Sequence, residues 1–152
     1  MSDPADPSMA PRKGDRRPDL ATNLRVAVLR LSRRLRTEST LEVSEAQHSV
    51  LSALFHLGPM TPGKLAEHDH VQRPSMTRTV ASLEERGFVV RTGDETDKRR
   101  VVVDVTDKGR DLVMEIKRRR TAWLHKRLAG LTSDERQALS QAATILRRMV
   151  DE

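Results

Sequence analysis

The stretch Thr61–Thr106, TPGKLAEHDHVQRPSMTRTVASLEERGFVVRTGDETDKRRVVVDVT, decides the fold. It opens on Thr61-Pro62, a side chain able to cap a helix followed by a proline suited to the first helical position. A short helix is predicted through Lys64-Leu65-Ala66-Glu67, ending near His68 to His70. Pro74 opens a second helix, because proline is tolerated in a first turn and not later. Val71, Met76, Val80 and Leu83 recur at helical spacing and are expected to face inward. Ser75, Thr77, Arg78 and Ser82 then fall on outer faces. Gly87 stops this helix in a left-handed cap, and Phe88 folds back on it.

Val89-Val90 begins a strand, and Val101, Val103 and Val105 alternate with Val102 and Asp104, a strand period. Between the strands, Gly93 to Arg100 is polar and charged and carries Lys98, Arg99 and Arg100 in succession. Two helices and a basic hairpin in this order predict a winged helix-turn-helix, mostly α with a small β-wing (α+β). Short hydrogen-bonding groups and a cation near a helix N-terminus suit base edges in a major groove. Arg73, Ser75, Thr77 and Arg78 are therefore candidate DNA contacts. Consecutive cations at a hairpin tip suit a phosphate backbone or a narrow minor groove, which adds Lys98, Arg99 and Arg100.

Composition bounds the alternatives. The 152 residues are 33% charged and only 2% aromatic, with a net charge of +6. One folded domain is expected from that length. Phe55, Phe88 and Trp123 are the only aromatics, which disfavours single-stranded nucleic acid held by base stacking. The positive charge suits a polyanion. Cysteine is absent, so thiol catalysis, disulfides and thiol redox sensing are excluded. No apolar run approaches ~18 residues, and the start is no signal peptide, so a cytoplasmic protein that does not enter a membrane is expected.

The flanks supply scaffold. Residues 1–19 hold four of the seven prolines and almost no large apolar side chain, and a disordered tail is expected. Leu20, Leu24, Ala27, Val28, Leu31 and Leu35 make one amphipathic helix, its other faces lined by arginines. Ser44 and Gln47 form a capping box for a helix to Leu57, stopped by Gly58-Pro59, and Met60 is expected to pair with the wing. Thr106 caps a long helix to about Ala129, and Thr132 with Glu135 boxes the last one. The first and last two helices carry broad apolar stripes with too few partners in one chain. A two-fold dimer would bury them, and would present two reading helices to successive major grooves ~34–36 Å apart on a palindromic site. The division expected is 20–43 and 106–152 for dimerisation and 44–105 for the winged helix-turn-helix.

Other chemistry is weaker. Glu67-His68-Asp69-His70 has metal-ligand residue types, but its spacing matches no zinc pattern, so a polar turn is expected, with no metal and no cofactor. His48 and His56 share a face of one helix and are either partly buried surface residues or the lining of a ligand pocket. No phosphate loop, nucleophile elbow or His-Glu-x-x-His is present, and no enzyme is expected.

Asp97-Lys98-Arg99, five residues, then Val105-Thr106 resembles the wing signature of the MarR family of regulators, with Val105 where leucine is usual. Leu83-Glu84-Glu85-Arg86-Gly87-Phe88-Val89 is similar to the end of that family's recognition helix. The resemblance covers about residues 20–150. It implies that Arg99 enters the minor groove, that Asp97 holds the wing in shape, and that Ser75, Thr77 and Arg78 read the major groove. It also implies terminal helices that dimerise and a small phenolic or lipophilic effector that lowers operator affinity. The function expected is a dimeric transcriptional repressor on palindromic double-stranded DNA, released by such a ligand. The alternatives are an architectural DNA-binding protein without an effector and a winged helix that docks another protein.

Overall fold

The computed structural model describes residues 19–38, 43–93, 96–97 and 100–151. Their elements run α1 (Leu20–Thr37), α2 (Glu45–Leu57), α3 (Pro62–His68), α4 (Arg73–Glu85), β1 (Val89–Gly93), β2 (Val101–Val105), α5 (Asp107–Ala129) and α6 (Ser133–Asp151). The chain falls into two units, 1–33 and 34–152, and each is described by itself.

Of the first unit, the described part is Asp19 and the α1 segment that follows. Asp19, the last residue of the expected tail, precedes α1 and caps its first turn. Its Oδ1 accepts from the Thr22 N–H at 2.7 Å, and its carbonyl from the Asn23 N–H at 3.0 Å. These bonds to the first turn hold its carboxyl below the ordinary carboxylate range. The rest of the expected tail lies outside the described residues.

The second unit is built around α2. Its N-terminus closes as a capping box: the Gln47 N–H donates to Ser44 Oγ at 3.2 Å and the Ser44 N–H to Gln47 Oε1 at 2.9 Å. Gly58 ends it at φ +87°, a backbone that glycine adopts without a Cβ clash. Val50, Leu51, Ala53 and Leu54 are buried along its length. They pack in one core with Leu65 and Ala66 of α3, Met76, Val80 and Leu83 of α4, Phe88, the strand valines Val89, Val103 and Val105, and Val113 of α5. Each such aliphatic side chain contributes roughly 1.5–3 kcal/mol by leaving water. That core seats α3, α4 and the wing on one support.

Local chemistry sets the joints. Thr61 Oγ1 accepts from the Lys64 N–H at 3.2 Å and Pro62 opens α3. The Phe88 N–H reaches the Leu83 carbonyl at 2.9 Å and the Gly87 N–H the Glu84 carbonyl at 2.9 Å, with Gly87 at φ +76°. This is the Schellman ending expected for α4. Val71, expected in the apolar stripe, is 40% exposed. It precedes the helix, which begins at Arg73, so the helical period does not extend to it.

The strands pair antiparallel, Val89 with Val105 through Gly93 with Val101. Met60 adds a bridge to Val103, with N–H to carbonyl bonds of 3.0 and 2.8 Å, as the sequence predicts. Thr106 Oγ1 caps α5 by accepting from the Gly109 N–H at 3.1 Å and donates to the Gly87 carbonyl at 2.7 Å. One side chain thus starts α5 and holds the end of α4. Glu135 and Thr132 box the start of α6 at 2.8 and 3.2 Å. α6 buries no residue, and Leu139, Ile145 and Met149 on it are exposed.

Candidate nucleic-acid interface

With Met76, Val80 and Leu83 held in the core, the opposite side of α4 is presented to solvent. Arg73, Ser75, Thr77 and Arg78 are all exposed there. Ser75 and Arg78 are three residues apart and Arg73 and Thr77 four apart, so they form two adjacent pairs on the helix surface. Thr77 Oγ1 donates to the Arg73 carbonyl at 3.0 Å, which leaves its oxygen lone pairs to accept from a base or a water. The first turn of α4 carries no acidic side chain, and Gln72 makes no side-chain cap. Its free N–H groups and positive dipole end are compatible with a phosphate.

Ser82 does not join this face. It is half-buried, and Gln47 Nε2 donates to its Oγ at 3.0 Å. The end of α4 packs against the start of α2, which periodicity within one helix does not reveal.

The wing is tied to α4 by an ion pair, Arg91 Nε to Glu84 Oε2 at 3.3 Å. At the tip the Arg100 N–H donates to the Asp97 carbonyl at 2.8 Å, closing a turn. Arg100 and Asp97 are exposed. Lys98 and Arg99 lie outside the described residues.

The residues 67–70 form a polar turn. Asp69 Oδ1 accepts from Ser49 Oγ at 3.0 Å and contacts His68 Nδ1 at 2.8 Å. Among the described residues, no group of three acidic, histidine or cysteine side chains is placed to hold a metal.

A concavity lies between α2 and α5. His48, Ser52 and His56 of α2 face Lys117, Arg120 and Thr121 of α5 over Val113 and Ile116, around a cavity of about 210 Å³. Burial, then the nearby Arg120 guanidinium, push the His48 imidazole below its ordinary pKa, with Glu45 opposing. Arg120 is held by Glu45 at 3.3 Å. The sequence marks His48 and His56; it does not mark Ser52, Lys117, Arg120 or Thr121. Spacings of three and four along α5 signal a shared face, but which helix that face meets is a tertiary fact.

A helix, a turn, an exposed second helix lined with cations and hydroxyls, and a basic hairpin beside it define a winged helix-turn-helix DNA-binding protein. The MarR family model matches residues 43–101. An HTH-type transcriptional regulator of Mycobacterium tuberculosis is 46% identical over 134 residues, covering 88% of this chain and 94% of its own. The chain therefore belongs to the MarR family, and is a DNA-binding transcriptional regulator rather than an enzyme. Among solved structures, a mutant of E. coli MarR superposes with a TM-score of 0.73 at 25% identity, covering 90% of this chain and 99% of that one. A variant of S. aureus MepR bound to an oligodeoxyribonucleotide shares the fold at a TM-score of 0.68 and 16% identity, covering 88% and 99%. No helix among the described residues is long and apolar enough to cross a membrane.

Proposed function

We propose that the protein is a homodimeric repressor of palindromic operators, released by a small anionic aromatic or lipophilic molecule. The observation that carries the DNA reading is α4: its apolar side is buried while Arg73, Ser75, Thr77 and Arg78 stand exposed together. In this reading Ser75, Thr77 and Arg78 meet base edges in the major groove, and Arg73 meets the phosphates beside them. Lys98, Arg99 and Arg100 hold the adjacent backbone, with Arg99 in the minor groove and Asp97 shaping the tip. The solved MepR complex with an oligodeoxyribonucleotide supports DNA binding by this fold.

The effector reading rests on the cavity between α2 and α5. Two cations, Lys117 and Arg120, stand at a partly apolar lining, and His48 is held towards its neutral form. That chemistry suits a carboxylate or phenolate carried on an apolar body. An occupant with unequal affinity for two arrangements of the helices shifts the population between them and lowers operator affinity.

The deciding experiment is a gel-shift titration on the intergenic DNA beside the protein's own coding region, at two salt concentrations, with random duplex as competitor. Competitor-resistant binding that tracks a palindrome is expected. Equal binding to both duplexes would leave an architectural protein, and no binding to either would leave a protein partner. Salicylate-like and long-chain carboxylates added to the preformed complex then test release. A complex that withstands all of them sinks the effector reading.

A further inference from the structure

One turn of α2 faces two ways. His48 and Ser52 line the cavity, while Gln47 and Ser49, interleaved with them, reach the helix-turn-helix. Gln47 Nε2 donates to Ser82 Oγ near the end of α4 at 3.0 Å, and Arg86 Nη1 reaches Gln47 Oε1 at 3.5 Å. Ser49 Oγ donates to Asp69 Oδ1 at 3.0 Å in the turn before α4. The recognition helix is thus held at both ends from one segment of α2.

The Asp69 end is the more informative. Its side chain is only 9% exposed, and the same Oδ1 contacts His68 Nδ1 at 2.8 Å. The next residue, His70, is the only non-glycine among the described residues with positive φ, at +54°. The Val71 N–H to the Ala66 carbonyl (3.0 Å) and the His70 N–H to the Glu67 carbonyl (3.3 Å) complete a Schellman ending with histidine where glycine is favoured. A side chain in the left-handed region persists where its surroundings over-determine the backbone. The buried carboxylate one residue earlier supplies that constraint, and the chain then has a single direction in which to start α4.

We infer that Asp69 and Ser49 are positioning residues for DNA sequence discrimination: their hydrogen bond fixes the turn to α2 and so sets the angle at which α4 meets base edges. The inference rests on α4 being the DNA-reading helix. Neither side chain touches DNA in that arrangement. Their loss should loosen base contacts, which depend on direction, and spare phosphate contacts, which depend on charge and distance.

The test uses the full chain and a duplex selected by the native protein from a random library. Ser49→Ala and Asp69→Ala should each lower the ratio of affinities, selected over random duplex, by about fivefold, the worth of one ordinary hydrogen bond. The salt slope and the affinity for random duplex should stay as in the native protein. Asp69→Asn keeps an acceptor oxygen for Ser49 and should retain most of the ratio. The double variant should be no worse than Asp69→Ala alone, because Asp69→Ala already removes the bond that Ser49→Ala removes. A ratio unchanged in Ser49→Ala and Asp69→Ala, while Arg78→Ala lowers it, overturns the inference. So does a loss on both duplexes that matches the fraction unfolded in thermal melts, which would make the bond structural only. A ratio that Arg78→Ala also leaves unchanged overturns the reading of α4 itself, and so separates the two failures.

Discussion

A Cβ built on Gly109 would lie 2.2 Å from the Phe88 carbonyl oxygen and 2.7 Å from Val105 Cγ2. Both neighbours belong to the α4–β1 turn and the wing, so α5 is seated against the winged helix through the absence of one methyl group. Alanine would gain up to ~1 kcal/mol of helix propensity. It would also force backbone apart, and overpacking of that kind costs typically ~1–3 kcal/mol. Gly109→Ala is expected to lower stability by ~1–2 kcal/mol in urea titration, and an unmoved midpoint would mean that α5 seats differently. His48 gives a second residue-scale expectation. Its pKa in the fold is below 6.5, so below that pH the unfolded chain binds more protons than the folded one. Its contribution is then fully present above pH 6.5 and declines as the pH falls further. Melting temperatures followed downwards in pH should fall less steeply in His48→Gln than in the native chain. Equal slopes would mean that His48 is not the group responsible. Glu115 acts in a lower window: hydrogen bonds from Arg118 and Arg119 hold its carboxyl at about 2 against 4.5, and its share is lost only under more acid conditions.

At the scale of the element, α4 and the wing should fail in different ways. In the proposed reading Arg78→Ala removes a base-edge contact, and it is expected to cost ~1–3 kcal/mol on the operator while relaxing one position of it. In the same reading Arg99→Ala removes a phosphate or groove cation. It is expected to weaken binding on all sequences alike and to reduce the salt slope by about 1. Titrations of both variants across a panel of single-base operator changes distinguish the two patterns. If Arg78→Ala behaved as Arg99→Ala should, Arg78 would be a backbone contact. The elements themselves were legible because their signals are local. Ser44 with Gln47, Thr61-Pro62, Gly87-Phe88 and Thr132 with Glu135 each act within a few residues, and each closes as the spacing predicts. Val71 and Ser82 depart from the pattern because periodicity within α4 does not report where the helix begins or what its end packs on. The cavity was only half legible for the same reason. His48 and His56 lie on one helix, whereas Lys117 and Arg120 reach them from α5, far along the chain.

For the whole molecule, the pressing fact is the surface left uncovered in the second unit. Leu139, Ile145 and Met149 stand 49%, 49% and 59% exposed on α6, a helix with no fully buried residue. An apolar stripe of this kind at helical spacing needs a partner helix, and a second copy supplies one by symmetry. The same symmetry would set two recognition helices one turn of duplex apart, which a single chain cannot do. Leu139 is the position at which to test this. Its side chain contributes nothing to the core, so Leu139→Asp should leave the fold of the winged helix unchanged while placing an unpaired charge in the proposed interface. A buried charge without a partner destabilises an interface by several kcal/mol. In sedimentation at low concentration the native protein is expected at twice the 17.2 kDa of one chain and Leu139→Asp at that mass, with helical circular dichroism retained. The variant should also lose the preference for a full palindrome over a single half-site. A variant that still sediments as a dimer would move the interface off α6. A native protein that sediments at the mass of one chain would remove the two-fold arrangement, and with it the palindromic operator.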